Sequence, residues 1–334
     1  MYRFYFSIFK RKFSNLSFHH PRTDTCKTCD LLNIKIKANP NDKESKRKLD
    51  LHHRQAEKAM NTMKEDHCLS QLPLSGTCSI SIDLQQVLSL PALTHGQMFY
   101  LRQLSCYNFG IHVGDTNKGL MHLWHEGITG RGGNEIASCV LKTLLSGFTK
   151  KQKLVVWSDN CVGQNKNKML LFLWIYLVTK GYFQEINQEV LMSGHSILSC
   201  DRDFAHIEKR KRVEKCEVPF DLVRLIATAT PNNPFTVTLM QAEDFFDFKA
   251  AADLTLNTTR TKISTAKWIQ VSADNPKQVK IRETLNEMEA WKNINVFKKN
   301  VTEQSIRDMV VPQLNCQNQI KENKKPDLRA VLPF

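Results

Sequence analysis

Three aspartate positions carry the chemistry this chain could do. Asp83 closes the run SISID, Asp159 follows the apolar run LVVW in LVVWSDNCVGQNKN, and Asp201 or Asp203 opens the block CDRDF. Carboxylates that converge repel one another unless cations sit among them, and Mg²⁺ or Mn²⁺ suits a set of oxygen ligands. Two such ions about 4 Å apart activate a water or a 3′-hydroxyl and stabilise the leaving oxygen of a phosphodiester. Taken singly, each acid has an ordinary use, as a strand end or a helix cap. Only their joint placement makes a catalytic set.

The elements that would bring them together can be read from hydrophobic periodicity. Cys78–Leu84 alternates as a half-buried strand that ends at Asp83. Gln97–Phe109 and Gly119–Ile128 read as two further strands, joined by turn-rich segments that suit antiparallel neighbours. A helix follows over Asn134–Leu145, and then the four apolar residues Leu154–Trp157 predict a strand buried on both faces. Gly163 is expected to permit a sharp turn before the apolar helix Met169–Val178. A fifth strand, Glu189–Met192, precedes a last helix running from Cys200 toward Lys215. Three antiparallel strands, then helix, strand, helix, strand, helix is the order of the RNase H-like fold. A crossover helix makes the strand before Asp159 parallel to its neighbour, expected to be the strand that carries Asp83.

A second chemistry is written in Cys26-Lys27-Thr28-Cys29. Two thiolates at this spacing bind one Zn²⁺ from a tight knuckle. The other ligands are expected from His52 or His53 and from His67 or Cys68, at the start and just past the end of a charged helix from about Asn41 to Asp66. A redox pair or two unrelated thiols is the alternative. That helix is polar nearly all round, which suits a solvated arm, a dimerising helix of a homo-oligomer, or a nucleic-acid contact.

The chain has 334 residues and a net charge of +14, from 47 Lys plus Arg against 33 Asp plus Glu, which suits a densely anionic partner such as DNA. Ten cysteines without dense, even spacing point to a reduced compartment. No segment reaches the roughly 20 apolar residues needed to span a bilayer, so no membrane partner is expected. The run Lys209-Arg210-Lys211-Arg212 could grip a DNA backbone, form a solvated face, or act as a nuclear localisation signal. His195, in SGHS just before the last acids, could bind a phosphate oxygen or orient a metal-bound water, or be a hydrogen-bonded structural histidine.

The blocks SIDLQQVLSLP, FYLRQLSCYNFGIH, RGGNEIASCV, WSDNCVGQNKN and GHSILSCDRDFAHIEK occur in that order. They resemble a large family of transposase-derived proteins of animal genomes. DTCKTCD, followed by LHHRQAEKAM and MKED, resembles the family's zinc-binding lead-in. The resemblance spans about residues 18 to 270 and implies a DDE/D transposase core, with Asp83 and Asp159 as its first two acids. The third is assigned to Asp203 first, to Asp201 second, with Glu208 a turn farther along. The family usually has a Gly where Ala205 stands and Pro-Asn where Ser199-Cys200 stand.

The expected organisation is therefore α/β. Residues 1–19 form a basic remnant of a longer region, and 20–70 a zinc-knuckle and helix module. Residues 75–217 form an RNase H-like core with a mixed sheet. Residues 218–282 are a small α+β appendage, and 283–334 a weakly ordered tail that ends in Lys324-Lys325-Pro326. The expected function is DNA binding in the nucleus with phosphodiester cleavage or strand transfer. A metal-dependent nuclease, a decayed DNA-binding protein and a zinc-organised interaction module are the rivals.

Overall fold

A computed structural model describes residues 2–13, 15–16, 25–93, 96–148, 151–259, 261–316 and 318–331. Part of the expected basic remnant and the start of the zinc module, residues 17–24, lie outside the described residues. The chain forms two compact units, Met1–His52 and His53–Phe334. The first holds α1 (Tyr2–Lys12), α2 (Lys27–Ala38) and the opening turns of α3 (Lys43–Ser70). Asp42 starts α3, its carboxylate accepting from the backbone N–H of Ser45 at 2.9 Å. The helix outlasts its expected end at Asp66, so His67 and Cys68 lie inside it.

The second unit is built on one large mixed sheet. Its strands are β1 (Thr77–Leu84), β2 (Leu88–Leu90), β3 (Leu104–Val113), β4 (Lys118–His125), β5 (Lys153–Ser158), β6 (Glu185–Val190), β7 (Thr236–Leu239), β8 (Trp268–Ser272), β9 (Gln278–Arg282) and β10 (Lys292–Asn295). The spatial order is β10-β9-β8-β6-β5-β1-β3-β4-β7, with β2 paired to β3. The pairs β1–β3 and β3–β4 are antiparallel. The pairs β1–β5 and β5–β6 are parallel, which the intervening helices α4 (Gly133–Gly147) and α5 (Lys168–Thr179) allow.

Alternation along β1 and β5 divides the core between the two faces. Ile80, Ile82, Leu154 and Val156 point to one side, where α4, α5 and α8 (Phe248–Thr255) bury them. Val155 and Trp157 point to the other, under α6 (Ser199–Lys211), α7 (Pro219–Ala227) and the residues Ala59 and Met63 of α3. β1 presents Ser79, Ser81 and then Asp83 to that second side, all reached from the same alternation. Cys200 of α6 lies directly on it, its Sγ donating to the Ser81 carbonyl at 3.1 Å. Gly110 of β3, opposite Asp83 in register, makes this close approach possible. A Cβ there would stand 2.7 Å from the Phe204 ring.

Several expected boundaries move. The second strand is Leu104–Val113, because Gly96–Phe99 forms a 3-10 turn and pairing with β1 and β4 carries the strand beyond Phe109. β6 begins at Glu185, earlier than expected, because it pairs along the whole of β5. Helix α6 stops at Lys211. Residues 218–282, expected as an appendage, extend the main sheet: β7 joins β4 in parallel, and β8 and β9 continue from β6. The tail is also tied in. β10 pairs with β9, Ile306 of α9 (Glu303–Arg307) is buried in the core, and Lys324 pairs with Glu126 at 2.5 Å rather than standing free for nucleic acid.

Candidate functional site

The parallel register sets Ile82 beside Ser158, so the next residues, Asp83 and Asp159, leave the carboxyl edge of adjacent central strands on one face. Each strand is pinned by its apolar partners on both sides, which makes the placement a consequence of core packing rather than of the acids. The Asp159 carboxylate is then held locally. Its Oδ1 accepts from the Cys161 N–H at 3.0 Å and from Asn165 Nδ2 at 2.7 Å. Lys166 braces the same loop although it is only 2% exposed. Its Nζ donates to Asn160 Oδ1 at 2.8 Å and to the Ser264 carbonyl at 2.6 Å, and burial pulls its pKa down to about 8. Asn167 caps α5, accepting from the N–H groups of Met169 and Leu170. The expected role of Gly163 in this loop is corrected: it does not use the left-handed region, and a Cβ there would meet nothing within 4 Å.

Asp83 reports what surrounds it. Burial first, then the charge of Asp159, then that of Asp201, push its carboxyl up to about 7. Its Oδ1 accepts from the Leu84 N–H at 2.8 Å, which opposes the shift only in part. Asp83 and Asp159 thus leave adjacent strands on one face, and the charge of Asp201 reaches Asp83. Asp201 sits in the first turn of α6, where its carboxylate also accepts from the Leu198 N–H at 2.7 Å.

Asp203, the first choice from sequence, faces elsewhere. Two residues along a helix turn a side chain through about 200°, so Asp201 and Asp203 cannot share a face. The Asp203 carboxylate is buried against His112 Nδ1 at 2.8 Å, and His112 Nε2 meets Asn117 Oδ1 at 3.1 Å. Glu208 returns to the Asp201 side of the helix, where its Oε1 accepts from Gln85 Nε2 at 2.8 Å. Gln85 in turn accepts from Asn108 at 2.8 Å. Sequence reasoning had missed Gln85, Asn165 and Lys166 as supports of this site. The last two stand inside SDNCVGQNKN, where a lysine set among amides was the available signal.

Three potential metal ligands lie in the first unit. Cys26 immediately precedes α2 and Cys29 lies in its first turn, while His52 comes from α3. Their ligand atoms lie within 4.8 Å of one another, and Cys26 Sγ is 3.1 Å from His52 Nε2. Burial, and next the neighbouring Cys26, push the Cys29 thiol up to about 11. This cluster could hold a metal ion. Of the other expected ligands, His53 meets the ring of His195 edge-on at 5.9 Å, and His67 Nδ1 meets Ser79 Oγ at 2.8 Å. Cys68 is exposed. None of these three belongs to the cluster.

His195 is placed on the loop after β6, its N–H donating to the Met192 carbonyl, and the neighbouring Ser193 Oγ accepts from Asn160 at 3.0 Å. In the basic run, Arg210 is tied to Glu214 at 2.6 Å and to the Thr228 carbonyl at 3.1 Å. Lys209 and Arg212 are exposed, and Lys211 is half-buried. Among the described residues no helix is long and apolar enough to cross a membrane.

The profile of a domain of unknown function, DUF7869, matches residues 98–289. The matched region includes Asp159, Asp201, Asp203 and His195, and starts after Asp83. No curated protein and no solved structure matches the chain.

Proposed function

Since this chain belongs to the family of unknown function DUF7869, we propose its activity from the site itself: an RNase H-like, transposase-derived protein that binds DNA and cuts or joins phosphodiesters. The observation that carries the reading is the convergence of Asp83, Asp159 and Asp201 from two adjacent parallel strands and the helix that follows. The strand order β4-β3-β1-β5-β6 within the larger sheet is the order that fold uses. The donor set suits hard divalent cations, because three carboxylates offer oxygen alone, and burial followed by the charges of Asp159 and Asp201 raises the Asp83 pKa in a way that a bound cation would oppose. Asp83, Asp159 and Asp201 would hold Mg²⁺ or Mn²⁺. Such ions supply polarisation of a phosphodiester and a lowered pKa for the attacking water. The chain's own contribution is orientation: Cys161 and Asn165 fix the rotamer of Asp159, and Lys166 fixes the loop that carries both. The charge of +14 supports a polyanionic substrate, and the basic run Lys209–Arg212 supports DNA contact and a nuclear location.

In the first unit, Cys26, Cys29 and His52 are three of the four donors a structural Zn²⁺ needs, and we assign zinc there. One ion per chain is expected by elemental analysis. Zinc retained undiminished in a Cys26→Ser, Cys29→Ser double variant would remove the assignment.

The decisive experiment incubates the purified protein with labelled duplex DNA and Mg²⁺ or Mn²⁺. Nicking or joining is expected, reduced by at least about a thousandfold in Asp159→Asn, since ion-mediated transition-state stabilisation is worth several kcal/mol. Cleavage without joining would narrow the activity to a nuclease. One observation favours a second reading, a decayed DNA-binding protein: the Asp201 carboxylate already has a structural use in capping Leu198. DNA binding by a wild-type chain that never cleaves would establish that reading and end the enzymatic one.

A further inference from the structure

On the other flank of α6 from Asp201, a cavity of about 470 Å³ opens between α3, the end of β3 and the start of α6. Lys64, His67, His112, Ser199 and Arg202 contribute to its wall, and among the described residues no carboxylate does. Among the described residues neither Lys64 nor Arg202 forms an ion pair, although both are exposed. Among the described residues the Arg202 guanidinium donates to Ser199 Oγ alone, at 3.2 Å, which turns it back over the first turn of α6. Two cations thus face one concavity with nothing to neutralise them, at a helix end that carries positive dipole.

His67 adds an independent observation. Its Nδ1 meets Ser79 Oγ at 2.8 Å, and its ring lies so close to Gly114 that a Cβ there would come within 2.4 Å of it. The ring is therefore fixed, and its Nε2 is buried without a hydrogen-bond partner. A buried polar atom left unpaired costs about 1 to 3 kcal/mol, which an incoming acceptor would offset. Burial, then His112, then Arg202 pull the His67 pKa down to about 4, so the imidazole enters such a contact neutral, and Nε2 donates in the tautomer whose Nδ1 accepts from the Ser79 hydroxyl.

We propose that this cavity is an anion site that takes a phosphate group, gripped by Lys64 and Arg202 with Ser199 and His67 as neutral donors. Its chemistry fits a phosphodiester of a nucleic-acid backbone and free phosphate alike. The inference does not depend on the acids being catalytic, since it uses none of them.

The test measures binding of inorganic phosphate, and separately of a single-stranded oligonucleotide, to the full chain by calorimetric titration. The comparison is between wild type, a Lys64→Gln, Arg202→Gln double variant and a Lys277→Gln, Lys299→Gln double variant that removes equal charge from exposed positions outside the cavity and the basic run. Phosphate binding is expected to weaken at least about tenfold in the first variant, because charge-assisted hydrogen bonds are lost, and to change little in the second. If the oligonucleotide weakens with phosphate, the natural ligand is a nucleic-acid backbone. If only phosphate weakens, the ligand is a free phosphate group. Wild type that binds neither probe, or an equal loss in both variants, overturns the proposal.

Discussion

Two groups of carboxylates lie on the same face of the sheet, one residue pair apart along β5 and β6, and they do different things. At the carboxyl edge, Asp83, Asp159 and Asp201 come from three elements and remain half-buried. One pair inward, Glu189 stands opposite Trp157 in register and is 4% exposed, and Asp66 of α3 accepts from Trp157 Nε1 at 2.9 Å. Burial, and next Asp66, push Glu189 up to about 8, a displacement comparable to that of Asp83. A perturbed carboxyl is therefore not what marks the site. Glu189 is buried and Asp66 half-buried beside the Trp157 indole, with Lys153 as the charge that opposes their shift. The edge group has three half-buried acids, on the loops and helix start that an α/β sheet leaves open at its strand ends.

The comparison breaks most sharply at α6. Asp201→Asn keeps the acceptor for Leu198 and removes one ion ligand, so cleavage should fall at least about a hundredfold with the fold intact. Asp203→Ala should do the reverse. It leaves His112 Nδ1 buried without its partner, a cost on the order of 1 to 3 kcal/mol that lowers the melting temperature by several degrees, while the residual rate stays within about tenfold. Loss of cleavage in Asp203→Ala at unchanged stability would exchange their roles.

That pair also shows where sequence reasoning stops. The alternation in CSISIDL and the apolar run LVVW were sufficient to set Asp83 and Asp159 on neighbouring strands, because period-two burial is a local pattern and the sheet edge follows from it. The choice between Asp201 and Asp203 needed the rotational phase of α6, and that phase is set by the capping contact of Asp201 with Leu198 and by the packing of Phe204 on Gly110. Neither contact is visible in the chain alone. The same limit explains His52 and His53, whose adjacent side chains diverge by about 100° on one helix. It also explains why residues 218–282 read as an appendage: strands added to a sheet edge from far along the chain have no local signature.

Glu189 gives the next test, through pH. A carboxyl whose folded pKa is raised contributes stability that is fully present below its unfolded value, near 4.5, and is lost as pH rises through the folded value, about 8. Wild-type stability should therefore decline between about pH 5 and 8, and Glu189→Gln should remove several kcal/mol of that decline. Asp83 contributes a fall of the same sign through about 7. Mg²⁺ separates the two, since an ion at the edge displaces the Asp83 proton and flattens its share, whereas the Glu189 share persists. Thermal melts across pH, with and without Mg²⁺, read both. A Glu189 share that Mg²⁺ also abolished would merge the two groups into one site.

The smallest expected effect concerns the loop that separates the edge group from α5. The sequence expectation is that Gly163 permits the sharp turn between Asp159 and the helix. Its backbone avoids the left-handed region, and the direction a methyl would take is open for 4 Å. The turn is made instead by hydrogen bonds: the Cys161 carbonyl accepts from the N–H groups of Gln164, Asn165 and Lys166, and the Asp159 carboxylate accepts from Cys161 and Asn165. Gly163→Ala should then stabilise the chain by roughly 0.4 to 1 kcal/mol, by reducing the freedom of the unfolded state, and leave metal-dependent cleavage unchanged. Asn165→Ala, one step deeper in the same loop, should lower cleavage because it frees the Asp159 rotamer. Chemical denaturation of both variants beside a cleavage assay decides the matter. A destabilised Gly163→Ala would mean that the loop, and with it Asp159, is held by backbone shape rather than by these bonds.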